Sequence, residues 1–415
     1  MKYIFFTLND FLKDGGNTIR MYGIMNELAK RGHEVFLISN ARDHRNFNRG
    51  IKHILIDLPV GIQEKRRIQA TTAHFTFLIT KYLNREVLYT IGSVFKTHEL
   101  VDCSIISFEY LDNTIAYLLK KMDLISSYRN DLHGVVPLEF WAKAHYENNF
   151  FENIFYMFKY YTSEALDRKV FKTGDGFIYA SKAMMEYYFA KYHWLTGRDS
   201  AILPYVLDGA EALFESYAHD YQLQEIEQLR QMGKTIIAFA GSFKKLGGVP
   251  ELITAFNDLS NQYPEVQLVL IGDGETLNEC RSYVIDNDLG DRVLFVGRIT
   301  YSDLQSYYRV TDIIVCPDKR NMYSDLIAHA KYYDALLSGK IVLIGSFTSI
   351  KLLNEKRELA EIYNLDEKNA LANSLASCIE NKDRLLVKYA PNTDYVLKNF
   401  QYCTMINPTG LFPNV

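Results

Sequence analysis

Residues Asp312–Gly339 read DIIVCPDKRNMYSDLIAHAKYYDALLSG. Ile313–Cys316 is a continuous apolar run, which is how a strand buried on both faces reads. Pro317 ends it, because proline has no N–H to offer a sheet ladder. A polar loop, Asp318–Tyr323, follows. Ser324 and Asp325 then predict a helix start, since either side chain can accept from the free N–H groups of a first turn. That helix runs through Ala328, Ala330 and Leu337, and Gly339 suits a left-handed cap. Ile341–Ile344 is a second buried strand. The order strand, loop, helix, strand predicts parallel α/β structure. It puts the loop and the helix start at the carboxyl end of a strand, where open parallel sheets take ligands.

Asp325, Lys331 and Asp334 are the charges of this predicted helix. Lys331 and Asp334 stand three apart and share a face, which fits a surface ion pair. A carboxylate one turn before a helix end can also accept two hydrogen bonds from a ribose 2′- and 3′-hydroxyl. Spacing alone leaves both readings open.

Outward from this stretch, the 415 residues suffice for two domains, and a hydrophobic fraction of 48% allows a large core. A net charge of −4 argues against a general nucleic-acid binder. Cys103, Cys280, Cys316, Cys378 and Cys403 are scattered, with no CxxC pair and no metal-ligand spacing. They read as reduced thiols of a cytoplasmic protein. The apolar start at Met1–Thr7 is too short for a signal peptide. No stretch reaches the ~18 apolar residues a membrane helix needs.

Lys2–Thr7 reads as a first strand. A loop with Gly15 and Gly16 leads to an amphipathic helix capped near Gly32, then to a strand at Glu34–Ser39. Glycines at the first turn of such a unit allow close approach to a phosphate or sugar. Ile51–Asp57 alternates as a strand, and Lys65–Arg67 opens a long helical region. Cys103–Ser107 is a buried strand followed by Glu109, either an acceptor contact or a carboxylate favoured at a helix start. Ile125–Leu132 is the next strand, ending at His133-Gly134. Glu139–Arg168 is rich in aromatics at helical spacing, mostly packing material, though such a face also suits a membrane or a partner. Gly176–Ser181 reads as the last strand of this half. Leu203–Asp208 reads as a crossing between domains.

In the second half, the strand Lys234–Gly241 runs into Ser242-Phe243-Lys244-Lys245-Leu246-Gly247-Gly248 and a helix with Pro250 in its first turn. Glycines, a helix start and two lysines form a diphosphate cradle or a plain turn with solvated lysines. Gln267–Gly272 is a strand entering a glycine turn. Val293–Gly297 is another, followed by Arg298, Ile299 and Tyr301. The segment Tyr301–Arg309 is a short helix.

The order of these motifs resembles retaining glycosyltransferase family 4. The likeness rests on Gly15-Gly16 with Leu28-Ala29-Lys30-Arg31-Gly32-His33-Glu34-Val35, on Asp131-Leu-His133-Gly-Val-Val-Pro137, on Gly241-Ser242, on Gly272-Asp-Gly274, and on Lys331-Tyr-Tyr-Asp334-Ala-Leu-Leu-Ser-Gly339-Lys-Ile-Val342. It implies the GT-B fold: two Rossmann-like α/β domains facing a central cleft, with a C-terminal helix crossing back to the first. The corresponding boundaries are 1–207 with the tail from about 396 to 415, and 208–395.

The resemblance further implies a nucleotide-sugar donor, UDP-sugar favoured, with no cofactor and no metal. The acceptor would be a glycan, a glycoprotein or a lipid-linked sugar, as in bacterial polysaccharide biosynthesis. Peripheral membrane contact and homo- or hetero-oligomers are compatible with it. Asp334 would hold the ribose. Gly15, Gly16, Gly241, Ser242, Lys244, Gly272, Arg298, Ile299, Tyr301 and Lys331 would line the donor. His133 would donate to a sugar hydroxyl, Lys245 and Arg298 would stabilise the leaving diphosphate, and Asp325 would hold the sugar. The family's first acidic residue falls on Leu326 here, one position from Asp325. The Arg and Lys of the common G-R-x(4)-K motif fall on Ser242 and Gly247. These departures support a rival reading as a non-catalytic partner subunit. An epimerase of the same fold is a third reading.

Overall fold

The computed structural model describes residues 2–8, 16–40, 50–58, 83–146, 149–204 and 220–406. The chain divides into two compact units. Unit 1 holds Met1–Asp208, Leu326–Ala328 and Tyr402–Val415, and unit 2 holds Gly209–Asp325 and His329–Gln401.

Unit 1 is built on strands β1 (Lys2–Thr7), β2 (Glu34–Ser39), β3 (Ile51–Leu55), β4 (Ser104–Phe108), β5 (Ser127–Leu132), β6 (Gly176–Tyr179) and β7 (Asp199–Ile202). They form one parallel sheet in the order β3-β2-β1-β4-β5-β6-β7. The order reverses between β1 and β4. There the Thr7 hydroxyl donates to Asp112 at 2.6 Å and the Leu8 N–H donates to the same carboxylate at 2.9 Å. Ile4, Phe6, Ile38 and Ile105 bury one sheet face against Ile91, Phe95 and Ile115 of two helices.

Unit 2 has six parallel strands: β8 (Thr235–Ala240), β9 (Val266–Ile271), β10 (Val293–Gly297), β11 (Ile313–Cys316), β12 (Ile341–Gly345) and β13 (Glu361–Tyr363). Their order is β10-β9-β8-β11-β12-β13. TIIAFA, VQLVLI and IVLIG are buried at every position, as expected of strands covered on both sides by helices. Phe239, Leu270, Val315 and Leu343 pack with Leu252, Ile253 and Phe256 of the helix Val249–Ser260. The order reverses between β8 and β11, so the ends of those two strands mark the ligand-binding switch point of such sheets.

Three expectations change. The helix placed from Ser324–Asp325 starts at Ala330, with His329 as its N-cap. Ser324 makes cap-like bonds, but within a loop: its hydroxyl accepts from Asn321 N at 2.8 Å and donates to Lys319 O at 2.9 Å. Lys331 and Asp334 do not pair, since Lys331 bonds Asp318 and Asp334 bonds Tyr301. Finally, β6 is not the last strand of its half, because β7 extends the sheet beyond it. β7 is four residues of Asp-Ser-Ala-Ile, too short and polar at its start to stand out. The Lys65–Arg67 helical region lies outside the described residues.

Candidate functional site

The site is clearest in unit 2. The ends of β8, β9 and β10 are stitched together by backbone bonds. Gly241 N–H donates to Ile271 O at 2.9 Å, Gly272 N–H to Gly297 O at 2.7 Å, and Phe243 N–H to Asp273 O at 3.0 Å. This close approach requires glycine. Gly272 has φ +133°, and a Cβ on it would lie 1.9 Å from the Gly241 carbonyl oxygen. Gly248 has φ +70°, and a Cβ there would lie 1.8 Å from Pro317 O, the residue that ends β11. Gly248 also caps the helix Val249–Ser260, whose first turn carries Pro250 and whose N–H groups are free of side-chain capping. Backbone N–H groups at such a helix start favour an anion. Ser242, Lys244 and Lys245 form the exposed rim of this turn. The Lys245 N–H donates to Glu275 at 2.7 Å, which fixes the turn. Arg298 is exposed and Ile299 half-buried beyond β10.

Asp334 is 7% exposed. The Tyr301 hydroxyl donates to its Oδ1 at 2.6 Å, and Gln305 Nε2 donates to its backbone carbonyl at 2.8 Å. Burial raises the Asp334 carboxyl to about 7, with the Tyr301 hydrogen bond pulling the other way. Two residues expected to touch the donor, 33 positions apart, are thus in direct contact.

Lys331 is the next residue brought in. Its Nζ donates to Asp318 Oδ1 at 2.9 Å and stands 5.1 Å from the centre of the Phe239 ring. A Cβ on Gly241 would be 3.6 Å from its Cε, so Lys331 underlies the glycine turn after β8. His329 Nδ1 is 3.6 Å from the other Asp318 oxygen, its Nε2 is 2.9 Å from Ser324 O, and its ring lies against Phe347 at 4.3 Å. Burial alone would raise Asp318. Lys331 and His329 outweigh it and hold the carboxyl well below the usual range. Sequence reasoning did not single out Asp318 or His329. The available signals were an acid directly after the strand-ending Pro317 and a histidine where the helix begins.

Asp325 sits elsewhere in the loop. Its carboxylate pairs with Arg320 at 3.2 Å and accepts from Thr348 N–H at 3.3 Å, while Arg320 is also held by Asp366 at 2.7 Å.

In unit 1, His133 follows β5. Its Nε2 is 3.5 Å from Asp131 Oδ2, and its ring stacks on Phe108 at 5.9 Å. Burial lowers His133 to about 4, against the pull of Asp131 and with that of Arg20. Asp131 itself is fully buried and is gripped by Arg20 at 2.7 and 2.9 Å. Arg20 also donates to the carbonyls of Leu203 and Pro204, at 2.6 and 2.9 Å. This anchor was not anticipated. Gly16 is the first residue of the helix Gly16–Lys30 rather than part of a loop, and Glu109 opens the helix Glu109–Lys121. Gly15 lies outside the described residues.

A glycine-lined turn, a helix start and a buried carboxylate now stand at the switch point of a parallel sheet. Residues 221–391 match the family described as Glycosyl transferases group 1. These residues include β8 to β13 and every unit 2 side chain described for the site. Among curated relatives, spore coat protein SA of Bacillus subtilis is 27% identical over 165 residues, covering 37% of this chain and 42% of the relative. The chain spans less than half the length of the curated relatives it matches.

Solved structures align over nearly the whole chain. Sucrose-phosphate synthase from Thermosynechococcus elongatus superposes with a TM-score of 0.69 at 16% identity, covering 97% of this chain and 95% of that one. Anabaena HepE, in complex with UDP and glucose, superposes with a TM-score of 0.65 at 13% identity, covering 98% and 97%. The fold is GT-B, with two parallel-sheet Rossmann-like domains. No helix among the described residues is long and apolar enough to cross a membrane.

Proposed function

We propose that the chain is a retaining hexosyltransferase. It moves a sugar from a nucleotide sugar, UDP-sugar favoured, to a glycan, glycoprotein or lipid-linked acceptor. The observation that carries this reading is the Tyr301–Asp334 contact beside glycines 241, 272 and 248 at the β8/β11 switch point. The HepE structure, which holds UDP and glucose, supports it by fold.

In this mechanism Asp334 accepts from the ribose hydroxyls, and Tyr301 orients it. The start of the helix Val249–Ser260, with Lys244, Lys245 and Arg298, takes up the charge that develops on the departing diphosphate. These positive groups make a divalent metal unnecessary for that charge. His133, neutral at pH 7, donates to a sugar hydroxyl. Gly15, Gly16 and Glu109 are assigned to the donor and acceptor approach through unit 1. The protein acts in the cytoplasm, including at a membrane surface when the acceptor is lipid-linked.

The test is thermal stabilisation by UDP, GDP and ADP and their sugar conjugates, with and without Mg²⁺, with Asp334→Ala as control. Stabilisation of the native chain but not the variant is expected. NMR of the product then reads the anomeric configuration. No response to any nucleotide overturns the proposal.

One observation favours a second reading, a non-catalytic partner subunit. Asp325 is tied to Arg320 and to Thr348 N–H, and Leu326 occupies the family's first acidic position. Nucleotide binding without transfer to any acceptor would select it.

A further inference from the structure

Unit 1 carries a second concave site that the donor chemistry does not use. It is an open cavity of about 410 Å³ lined by Glu164, Ala165, Arg168, Lys191, Tyr192 and Trp194. That volume falls in the range of small-molecule sites, about 300–1,000 Å³. Glu164 and Arg168 lie one turn apart on the helix Phe150–Thr173. Lys191 ends the helix Lys182–Lys191, and Trp194 sits in the single turn that follows, before β7. The helix ending at Lys191 starts just after the carboxyl end of β6, so Trp194 lies at the amino-terminal edge of the sheet. His133 follows the carboxyl end of β5, at the opposite edge.

Three features of this cavity point to one ligand class. Trp194 is 40% exposed although it is a large aromatic ring. It is held flat by stacking on buried Tyr192, with ring centres 4.9 Å apart. An exposed, immobilised indole face suits the C–H face of a pyranose, whose polarised hydrogens meet the negative face of the ring.

Lys191 and Glu164 pair across the cavity, and Lys191 also donates to Tyr187 at 3.0 Å. Together they offer donors and an acceptor to sugar hydroxyls. The Arg168 guanidinium stands over the Trp194 ring, 5.9 Å from its centre, and pairs with no carboxylate among the described residues. A guanidinium left in this way above an aromatic ring matches a carboxylate or phosphate in two-pronged geometry. Beneath the wall, Asp167 is buried and accepts from the Tyr188 hydroxyl at 3.2 Å. Burial raises it to about 7, which reduces its opposition to an anion. The lining then carries two cations against one carboxylate.

We infer that Trp194, Arg168 and the Lys191–Glu164 pair form a binding site for an anionic pyranose, a hexuronate or a phosphorylated hexose unit of a glycan. It lies within unit 1 and shares no residue with the glycine-lined donor turn of unit 2.

The experiment is titration calorimetry on the full chain and on Trp194→Ala and Arg168→Gln. The probes are an oligosaccharide ending in a hexuronate, a neutral oligosaccharide of equal length and a hexose 6-phosphate. Saturable binding of at least one anionic probe is expected, with the neutral one much weaker. Arg168→Gln should weaken the anionic probe at least about tenfold, the effect of losing a charge-assisted hydrogen bond. Trp194→Ala should weaken it comparably. Whichever anionic probe binds identifies the source of the charge. Unchanged thermal midpoints and unchanged nucleotide responses in both variants show that they fold. No binding of either anionic probe, equal binding of the neutral one, or binding indifferent to both substitutions overturns the proposal.

Discussion

The Tyr301 hydroxyl donates to the buried Asp334 carboxyl at 2.6 Å, joining the segment after β10 to the helix after β11. Burial dominates at Asp334 and raises it to about 7 from 3.8. The folded chain therefore holds a proton between about pH 4 and pH 7 that the unfolded chain has released. Stability must fall as pH rises through that window, by roughly 4 kcal/mol at full separation. Asp334→Asn removes this dependence. Relative to the native chain the variant is expected to gain stability from pH 4 to pH 7 and to lose nucleotide-induced stabilisation. Denaturation curves at pH 4, 5.5 and 7 measure the gain, and equal slopes for the two proteins would refute it.

Tyr301→Phe tests the same contact from the other side. The hydroxyl bond is what lowers the carboxyl against burial. Without it Asp334 titrates still higher, and a buried acceptor loses its donor at about 1–3 kcal/mol. Carboxyl-carbon NMR is expected to show the Asp334 midpoint moving up in the variant. An unmoved or lower midpoint counts against the contact.

Glycines 272 and 32 have similar backbone needs and different surroundings. Both have positive φ, +133° and +80°, but a Cβ on Gly32 meets nothing within 4 Å, whereas one on Gly272 overlaps Gly241 O at 1.9 Å. Gly32→Ala should cost about 1–2 kcal/mol, the strain of a left-handed non-glycine residue. Gly272→Ala should cost several kcal/mol or disrupt the turn after β8. Chemical denaturation of the two variants side by side decides it, and equal losses would contradict the close approach.

The sheet of unit 2 was readable because its strands are largely apolar runs, so β11 at Ile313–Cys316 and β10 at Val293–Gly297 agree with the expected spans. The helix after β11 was misplaced by five residues because Ser324 and Asp325 look like caps whether their bonds serve a helix or a loop. Asp334 could be tied to a ribose only through family resemblance. Its neighbour Tyr301 is set by the fold of three strands, which local pattern does not encode. Asp318, His329, Arg20 and Asp131 escaped notice for the same reason. Each is a single polar residue whose meaning lies in a partner, and Arg20 and Asp131 are 111 positions apart.

His133 carries the opposite pH sign to Asp334. Its folded value is about 4, lowered chiefly by burial from 6.5. Between those values the unfolded chain binds a proton that the folded chain refuses. The stability contribution is complete above about pH 6.5 and is lost as pH falls toward 4, up to roughly 3 kcal/mol. His133→Gln should flatten this acid limb, with its largest relative gain near pH 4. Denaturant midpoints from pH 4 to pH 8 check it, and parallel curves would show that the ring titrates as in water.

Asp318 governs the remaining charge at the switch point. Burial opposes its ionisation, but Lys331 and His329 hold it well below the usual carboxylate range. A depressed folded value stabilises the chain above the unfolded pKa of about 4, and that stabilisation disappears as pH falls below it. Asp318→Asn keeps the shape and removes the charge, leaving the Lys331 ammonium under the glycine turn without its partner. The expected loss is about 2–3 kcal/mol at pH 7, that of a charge-assisted hydrogen bond, narrowing as the pH approaches 3. A freed Lys331 should also strengthen the salt dependence of nucleotide binding, because an unpaired ammonium beside the turn attracts any phosphate. Urea unfolding at pH 7 and pH 3 gives the first quantity, and nucleotide titration at two salt concentrations gives the second. A variant as stable as the native chain at pH 7 would show that Asp318 contributes no net stability there.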